Sequence, residues 1–381
     1  MVSDVSFPRV NGVSTSIQTF RTELRALGHE SSLIAPAYPR QESPTDPAEI
    51  RLRSRPVPGD REDRLIRLRD VLALTDTLRA RQFDIVHIHT PFVAHYAGLR
   101  LARRLGLPVV GTCHTYFEEY GKYYFPRLPE SLVRFCARRL TVSQCAALDA
   151  IVVPSEQMLG VLRGYGVTVH AERIPTGIDT ARFRGGDGSR FRAAHGIPAT
   201  RPVLLHISRV AHEKNLDFIL RAVKRVTADV PDLLLVVAGD GPALGHVKEL
   251  AGRLGIGANC LFVGYLDRAT ALLDCYRSGD AFVFASRTET QGLVLLEALA
   301  LGVPVVSTAV MGTADVLKDV KGAVVAPDDE AGFAAAVSAL LRDPARRARL
   351  AALAPADAAA WSARAMAERL VGFYERVLAR R

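Results

Sequence analysis

Short runs of β-branched and aliphatic residues alternate along the chain with longer stretches whose apolar positions recur at helical spacing. In the first half the runs at 2–6, 32–36, 84–88, 108–111, 150–153 and 171–174 predict strands, and 13–27, 61–81, 93–105, 130–147 and 155–165 predict helices. The second half predicts strands at 203–207, 233–238, 260–263, 281–285, 304–306 and 322–325, with helices at 215–229, 242–254, 267–278, 292–302 and 329–342. Runs such as 233–238 and 281–285 are apolar throughout, the pattern of strands covered on both faces. Strand–helix alternation predicts an α/β fold with parallel sheets and right-handed crossovers. Twelve strands fit two doubly wound Rossmann-like domains better than one sheet.

The segment 176–200 holds Gly177, Gly185, Gly186, Gly188, Gly196 and Pro198, a linker composition that places the boundary there. The expected division is 1–180 and 181–360, with 361–381 a strongly amphipathic helix that no strand follows. Residues 40–63, rich in Arg, Pro and Asp, read as an exposed loop. Residues 2–5 make a very short opening strand for a position that should be central, so a few further residues are expected upstream.

Composition narrows the function classes. The chain has 381 residues, 49% of them hydrophobic and 23% charged, a globular mix that excludes a mostly disordered chain. The longest apolar run, 292–306, is interrupted by Glu297, so no membrane-spanning helix is expected. No signal peptide is read at the start. The five cysteines, at 113, 136, 145, 260 and 275, form no Cys-x-x-Cys pair, which suggests a reduced cytoplasmic protein without a thiolate zinc site. The net charge is +9, with 26 Lys/Arg against 20 Asp/Glu in residues 1–190 and 23 against 20 in residues 191–381. A basic first half attracts phosphate, nucleic acid or an anionic membrane, and charge alone does not choose. Only six of the 49 basic residues are lysine, so a lysine inside a motif stands out.

Ligands of open α/β sheets bind beyond the carboxyl ends of the strands, so chemistry is sought there. After the first strand, Asn11-Gly12-Val13-Ser14 opens a helix, where a glycine lets backbone N–H groups approach an anion or simply makes a turn. After the strand ending at Gly111 comes His114, then an aromatic run of Tyr116, Phe117, Tyr120, Tyr123, Tyr124 and Phe125 containing Lys122 and Arg127. That run reads as a core patch or as an amphipathic lip touching lipid. Helix 130–147 adds Arg134, Arg138 and Arg139 with Leu132, Val133, Phe135 and Leu140, and Arg100, Arg103 and Arg104 add more charge. After strand 203–207, Arg209 and Lys214 in a loop opening a helix make a diphosphate clamp or a solvated basic loop. Gly239-Asp240-Gly241-Pro242 is a weak turn signal, and Leu244 rules out the Gly-x-Gly-x-x-Gly fingerprint of nicotinamide enzymes. After strand 281–285, Glu289 lies in a loop, Gly292 opens a helix, and Glu297 sits inside that apolar helix. An ionised carboxylate there needs a partner or a ligand. One carboxylate would suit a sugar and the other a ribose diol; a buried structural pair is the alternative.

Glu289 and Glu297 stand at the Glu-x7-Glu spacing of the retaining glycosyltransferases of family 4, which have the two-domain GT-B architecture. The chain resembles that family also in Ser208-Arg209 with Lys214-Asn215, in Ala238-Gly239-Asp240-Gly241-Pro242, in Phe262-Val263-Gly264, and in Pro175-Thr176-Gly177-Ile178-Asp179 with Phe183. These occur in family order over nearly the whole chain. The finer resemblance is to the membrane-lipid branch, the diacylglycerol glucosyltransferases, through Phe7-Pro8-Arg9-Val10-Asn11-Gly12-Val13-Ser14, His114-Thr115-Tyr116-Phe117-Glu118-Glu119-Tyr120 and Thr288-Glu289-Thr290-Gln291-Gly292-Leu293. Gln291 departs from the aromatic residue many family members carry there, which is expected within the lipid branch.

The resemblance implies a hexosyltransferase moving a sugar, taken as glucose from UDP-glucose, to a lipid such as diacylglycerol. It implies catalytic or donor roles for His114, Glu289, Arg209 and Lys214, and donor contacts from Gly12, Leu266, the backbone of Gly292, Leu293 and Val294, and Glu297. It implies an interdomain cleft, with the first domain on the acceptor and membrane side and the second holding the donor, and a C-terminal helix that returns to the first domain. Tyr116, Phe117, Tyr120, Tyr123, Tyr124, Arg134 and Arg138 are the expected acceptor and membrane residues. With no Asp-x-Asp motif, neither metal nor cofactor is expected beyond the nucleotide sugar. The expected place is peripheral, at the inner face of the cell membrane, with no nucleic-acid partner. Alternatives are another sugar such as mannose or galactose, a glycan acceptor, a nucleotide-sugar epimerase of the same architecture, and a non-enzymatic binding module.

Overall fold

The computed structural model describes residues 1–39, 46–57, 60–116, 118 and 128–380. The chain divides into one unit of Met1–Gly177 with Ala363–Arg381 and a second of Ile178–Ser362.

The first unit carries strands β1 (Leu33–Pro36), β2 (Glu49–Leu52), β3 (Ser54–Val57), β4 (Asp60–Ile66), β5 (Val86–Ile88), β6 (Val109–Thr112), β7 (Ala150–Val153) and β8 (Ala171–Arg173). β5-β6-β7-β8 form a parallel sheet in that order, and β1 pairs in parallel with β2. Val2 bridges in parallel to both Ile34 and Ile88, so the opening segment lies between β1 and β5. One face is covered by the helices Gly12–Ala26 and Ala363–Leu378, which meet around Phe20, Leu24, Val110, Ile174, Leu370 and Phe373. Arg376 bonds Glu172 at 2.7 and 3.0 Å and ties the C-terminal helix to β8. The other face buries Val2, Ile34, Ile88, Ala97 and Leu101 under the helix Val93–Leu105.

Two expectations fail here. Most of the described part of 40–63 is strand: β2 joins the sheet, and β3 and β4 form an antiparallel hairpin. The helix expected over 61–81 starts only at Leu68, after β4, and is interrupted at Leu74 between Leu68–Ala73 and Thr75–Arg79. β2 and β3 have no fully buried residue, so they lack the apolar alternation that announces a half-buried strand. Arg64 Nε donates to Ser54 Oγ across the hairpin at 2.6 Å, and such polar pairs take the place of apolar contacts.

The second unit is one parallel six-stranded sheet, ordered β11-β10-β9-β12-β13-β14, from β9 (Val203–Ile207), β10 (Leu234–Ala238), β11 (Cys260–Gly264), β12 (Ala281–Phe284), β13 (Val305–Ser307) and β14 (Ala323–Val325). β9, β10, β12 and β13 are buried along their whole length, which explains the uninterrupted apolar runs of β10 and β12. Val226, Val237 and Phe333 belong to the cluster on one face, and Tyr276, Phe284 and Leu296 to that on the other.

The segment 176–200 is more than a linker. It contains the helix Gly188–Ala194, pinned where Arg190 donates to Asp274 at 2.6 and 2.7 Å. A Cβ on Gly188 would meet the Arg277 carbonyl oxygen at 2.2 Å, so glycine serves close packing there. The two ends of this unit pair with each other: Ile178 N–H donates to the Trp361 carbonyl at 2.7 Å.

Candidate active site

In the second unit the strand order reverses between β9 and β12, the topological switch point where open α/β sheets take their ligands. The loops leaving these two strands carry the residues singled out from the sequence. After β9, Ser208 N–H pairs with the Ala238 carbonyl and Val210 N–H with the Asp240 carbonyl, at 3.1 and 2.9 Å. A 3-10 turn over His212–Lys214 follows, ended by Asn215 at φ 57°, a left-handed conformation that asparagine tolerates. The Asn215 amide donates to the Ala285 carbonyl at 3.0 Å, and Ser286 Oγ donates to the Glu213 carbonyl at 2.9 Å. These bonds stitch the Arg209–Lys214 loop to the one that presents Glu289.

As a result Lys214 Nζ contacts Glu289 Oε1 although 75 residues separate them. Arg209 Nη1 lies 3.9 Å from Glu213. Gly292, at φ 92°, opens the helix Leu293–Ala300, whose first N–H groups have no preceding turn to bond. Beneath it, Glu297 is buried and held by Arg268 Nη2 at 2.7 Å and Tyr276 Oη at 3.0 Å. The charge of Glu297 keeps the Arg268 guanidinium more firmly protonated than usual, and burial followed by that same carboxylate pushes the Tyr276 phenol up. Leu266 packs partly buried against the cluster that also includes Leu293 and Val294. Both carboxylates of the eight-residue spacing are therefore ion-paired, each with a cation from another loop.

The first unit presents a second group at its strand ends. His87 and His89, two apart on and just past β5, lie on one face of it. His87 is clamped by Tyr374 Oη at 2.6 Å and Thr112 Oγ1 at 2.7 Å. His89 stacks on His87, ring centroids 4.2 Å apart, and its Nδ1 lies 3.1 Å from His114 Nε2. Burial disfavours the charged form of all three, and His114 is lowered to about 4. Asp4 accepts from Thr90 Oγ1 and from the Ala94 and Ile66 N–H groups; burial pushes its carboxyl up to about 6. Gly12 is exposed at the start of its helix, capped by Asn11, and a Cβ there would meet nothing within 4 Å. Packing within the unit does not demand glycine at that position.

Of the expected acceptor residues, Phe117, Tyr120, Tyr123 and Tyr124 lie outside the described residues. Tyr116 packs partly buried against the cluster of Cys145, Ile151 and Met158. Arg138 donates to the buried Glu118 at 2.6 and 3.1 Å, and Tyr165 Oη also donates to that carboxylate. Arg134 pairs with Glu130 at 2.8 Å and approaches Glu118 at 3.9 Å. These arginines are structural ion-pair partners as well as surface charges. The helix Glu130–Ala146 leaves Leu132, Phe135 and Leu140 exposed, Phe135 at 60%. Gln144 donates to the Pro91 carbonyl at 2.7 Å, bringing that helix beside the exposed Phe92 and Tyr96.

Arg268, Tyr276, His87 and His89 went unremarked in the sequence. The His-x-His spacing ending β5 was the one available signal; nothing local marks Arg268 or Tyr276. All five cysteines are free thiols. Among the described residues no group of three or more His, Cys, Asp or Glu side chains is placed to hold a metal ion, and no helix is long and apolar enough to cross a membrane.

Two family models match the chain, Glycosyltransferase Family 4 over residues 10–182 and Glycosyl transferases group 1 over 187–356. An alpha-monoglucosyldiacylglycerol synthase of Streptococcus pneumoniae is 34% identical over 81% of this chain and 70% of its own. A GDP-mannose-dependent alpha-mannosyltransferase of Mycolicibacterium smegmatis is 29% identical over 100% of this chain and 98% of its own. A solved Anabaena structure in complex with UDP and glucose superposes with a TM-score of 0.78 over 98% of each chain at 15% identity, a likeness of fold, GT-B.

Proposed function

This chain belongs to glycosyltransferase family 4, and from that premise we propose that it transfers a hexose, glucose, from a nucleoside diphosphate sugar to a membrane lipid of the diacylglycerol type with retention at the anomeric carbon. The observation that carries the reading is the contact of Lys214 with Glu289 at the switch point. A donor hexose is joined to its diphosphate through the anomeric carbon. A cation for phosphate and a carboxylate for sugar hydroxyls must therefore lie side by side.

In this reading the donor exchanges with the ion pairs of the site. The diphosphate takes Lys214 and Arg209, with the N–H groups of Gly292, Leu293 and Val294 adding donors. Glu289 accepts from the hexose hydroxyls. Glu297 takes the ribose diol, and Leu266 lies beside the base. As the glycosidic bond breaks, charge grows on the leaving phosphate, and preorganised cations and helix N–H groups stabilise it there. The incoming lipid hydroxyl loses its proton to a leaving phosphate oxygen on the same face of the sugar. A role toward the transferred sugar is proposed for His114 of the first unit. The second unit is the donor side and the first the acceptor side. The exposed Leu132, Phe135 and Leu140, with Phe92, Tyr96 and Arg139, lie against an anionic membrane surface. The name of the S. pneumoniae relative supports glucose and diacylglycerol.

The test is incubation of the full chain with labelled UDP-glucose, UDP-galactose or GDP-mannose and diacylglycerol vesicles. Labelled glucosyl-diacylglycerol is expected, lost in Glu289→Gln. Label entering only water-soluble glycans, or full activity in Glu289→Gln, would defeat the reading. The mannosyltransferase relative that covers the whole chain favours a second reading, mannose from GDP-mannose, and the same experiment decides between them.

A further inference from the structure

We propose that His89 is a positioning residue: its Nδ1–H donates to His114 Nε2, and so holds His114 in the tautomer that carries its proton on Nδ1. The importance of that tautomer rests on the role proposed for His114 against the transferred sugar, but the tautomer itself can be read without turnover.

The argument begins with the two nitrogens of His89. Nδ1 lies 3.1 Å from His114 Nε2, within hydrogen-bond distance. Nε2 is buried, in a residue only 2% exposed, and has no hydrogen-bond partner. Between two neutral imidazoles one nitrogen donates and the other accepts. If His114 donated, His89 would carry its proton on Nε2 and leave a buried N–H orphaned. If His89 donates, Nε2 keeps only an unused lone pair. Orphaned buried N–H groups are rarer than under-used acceptors, so the second arrangement is favoured. His114 Nε2 then accepts, and its proton sits on Nδ1.

The surroundings make His89 a rigid donor. Its ring lies at 24° to that of His87, which Tyr374 and Thr112 hold through both nitrogens. The Met1 amino group, when charged, also opposes protonation of His87 and His89, and the Asp4 carboxylate is turned to Thr90, Ala94 and Ile66 rather than to either ring. Burial keeps the three rings neutral near pH 7, the condition under which a single tautomer can be selected.

The experiment is nitrogen-15 NMR of the full chain labelled at histidine, with the His114 signals assigned by their loss in His114→Gln. Wild type is expected to show His114 protonated on Nδ1; a signal protonated on Nε2 overturns the proposal. In His89→Leu the His114 signals should move toward a tautomer mixture. In the transfer assay kcat should fall about tenfold to a hundredfold, the scale of a slight misplacement, with the donor KM within about twofold. His89→Asn, whose amide can donate in place of Nδ1–H, should restore both. An unchanged His114 tautomer in His89→Leu, or no recovery of the Nδ1–H form in His89→Asn, overturns the proposal even where activity falls. If His114→Gln transfers at the wild-type rate while the tautomer responds as expected, the positioning stands and the role given to His114 fails instead.

Discussion

Gly239→Ala tests the idea that the loops after β9, β10 and β11 form one braced platform for Arg209. Gly239 sits at φ 125°, where a non-glycine residue is strained by about 1–3 kcal/mol. A Cβ there would lie 1.9 Å from the Ser208 carbonyl oxygen and 3.0 Å from its carbon. Relieving that overlap requires a backbone shift of about 1 Å, because bonded neighbours hold both sides. Gly239 N–H donates to the Gly264 carbonyl at 2.7 Å and Ser208 N–H to Ala238 at 3.1 Å. Losing both bonds adds roughly 2 kcal/mol. The total of about 3–5 kcal/mol corresponds to a fall of roughly 10 °C in the melting temperature of this unit, at ~2–4 °C per kcal/mol. Gly245→Ala is the control: it is helical, a Cβ there meets nothing within 4 Å, and it should stabilise by up to about 1 kcal/mol. Calorimetry measures both, and titration with UDP below the transition should show about tenfold weaker binding in Gly239→Ala. A melting temperature within 2 °C of wild type would refute the bracing argument, and unchanged UDP affinity would detach it from Arg209.

Phe373→Ala empties the centre of the contact between the two helices and the sheet of the first unit, and denaturant unfolding should record a loss of about 3–5 kcal/mol. Asp4, raised from 3.8 to about 6 by burial, binds its proton in the folded chain over a range where the unfolded chain has released it. Its contribution is fully present below about pH 4 and is lost as pH rises through about 6, by up to about 3 kcal/mol; unfolding at pH 4 and pH 7 should shift in favour of Asp4→Asn by about that much. Because leaving-group charge is assigned to Arg209, Lys214 and helix N–H groups, transfer should persist in EDTA, and its loss with recovery on adding Mg²⁺ would overturn that assignment. Sedimentation with anionic vesicles should fall in Phe135→Ser and with added salt; equal binding to neutral vesicles at every salt concentration would count against the membrane face.

The sequence is most legible where burial is complete. β10 and β12 carry apolar runs because both faces are covered, and the positions of β9, β10, β12 and β13 agree with expectation to within a residue or two. It is least legible where polar partners replace apolar burial, as in the β3–β4 hairpin, whose arginines read as loop and helix. Glycines follow the same logic in reverse. Gly239 and Gly188 look like turn and linker residues, yet each stands against the backbone of a distant segment. Glycine composition shows that something is special about a position, and only the fold shows what approaches it.

Candidate chemistry was found because the residues concerned follow strands, and strand ends are predictable. Their partners were not, because pairing depends on strand order. Glu289 and Lys214 are neighbours since β9 and β12 are adjacent in the sheet while two strand–helix units separate them in sequence. Glu297 meets Arg268 and Tyr276 for a different reason: β11 and β12 are not adjacent, but the segment joining them, with its helix Ala271–Arg277, brings both residues against the helix Leu293–Ala300 that follows β12. This bears directly on how the site works. A buried carboxylate such as Glu297 could not stand unpaired without a cost of several kcal/mol. The cations that balance the carboxylates fix the geometry of these loops. In the proposed reading an anionic diphosphate exchanges for a carboxylate on Lys214, and neutral hydroxyls for a cation on Glu289, so that each broken ion pair is matched by a new contact in the same loops.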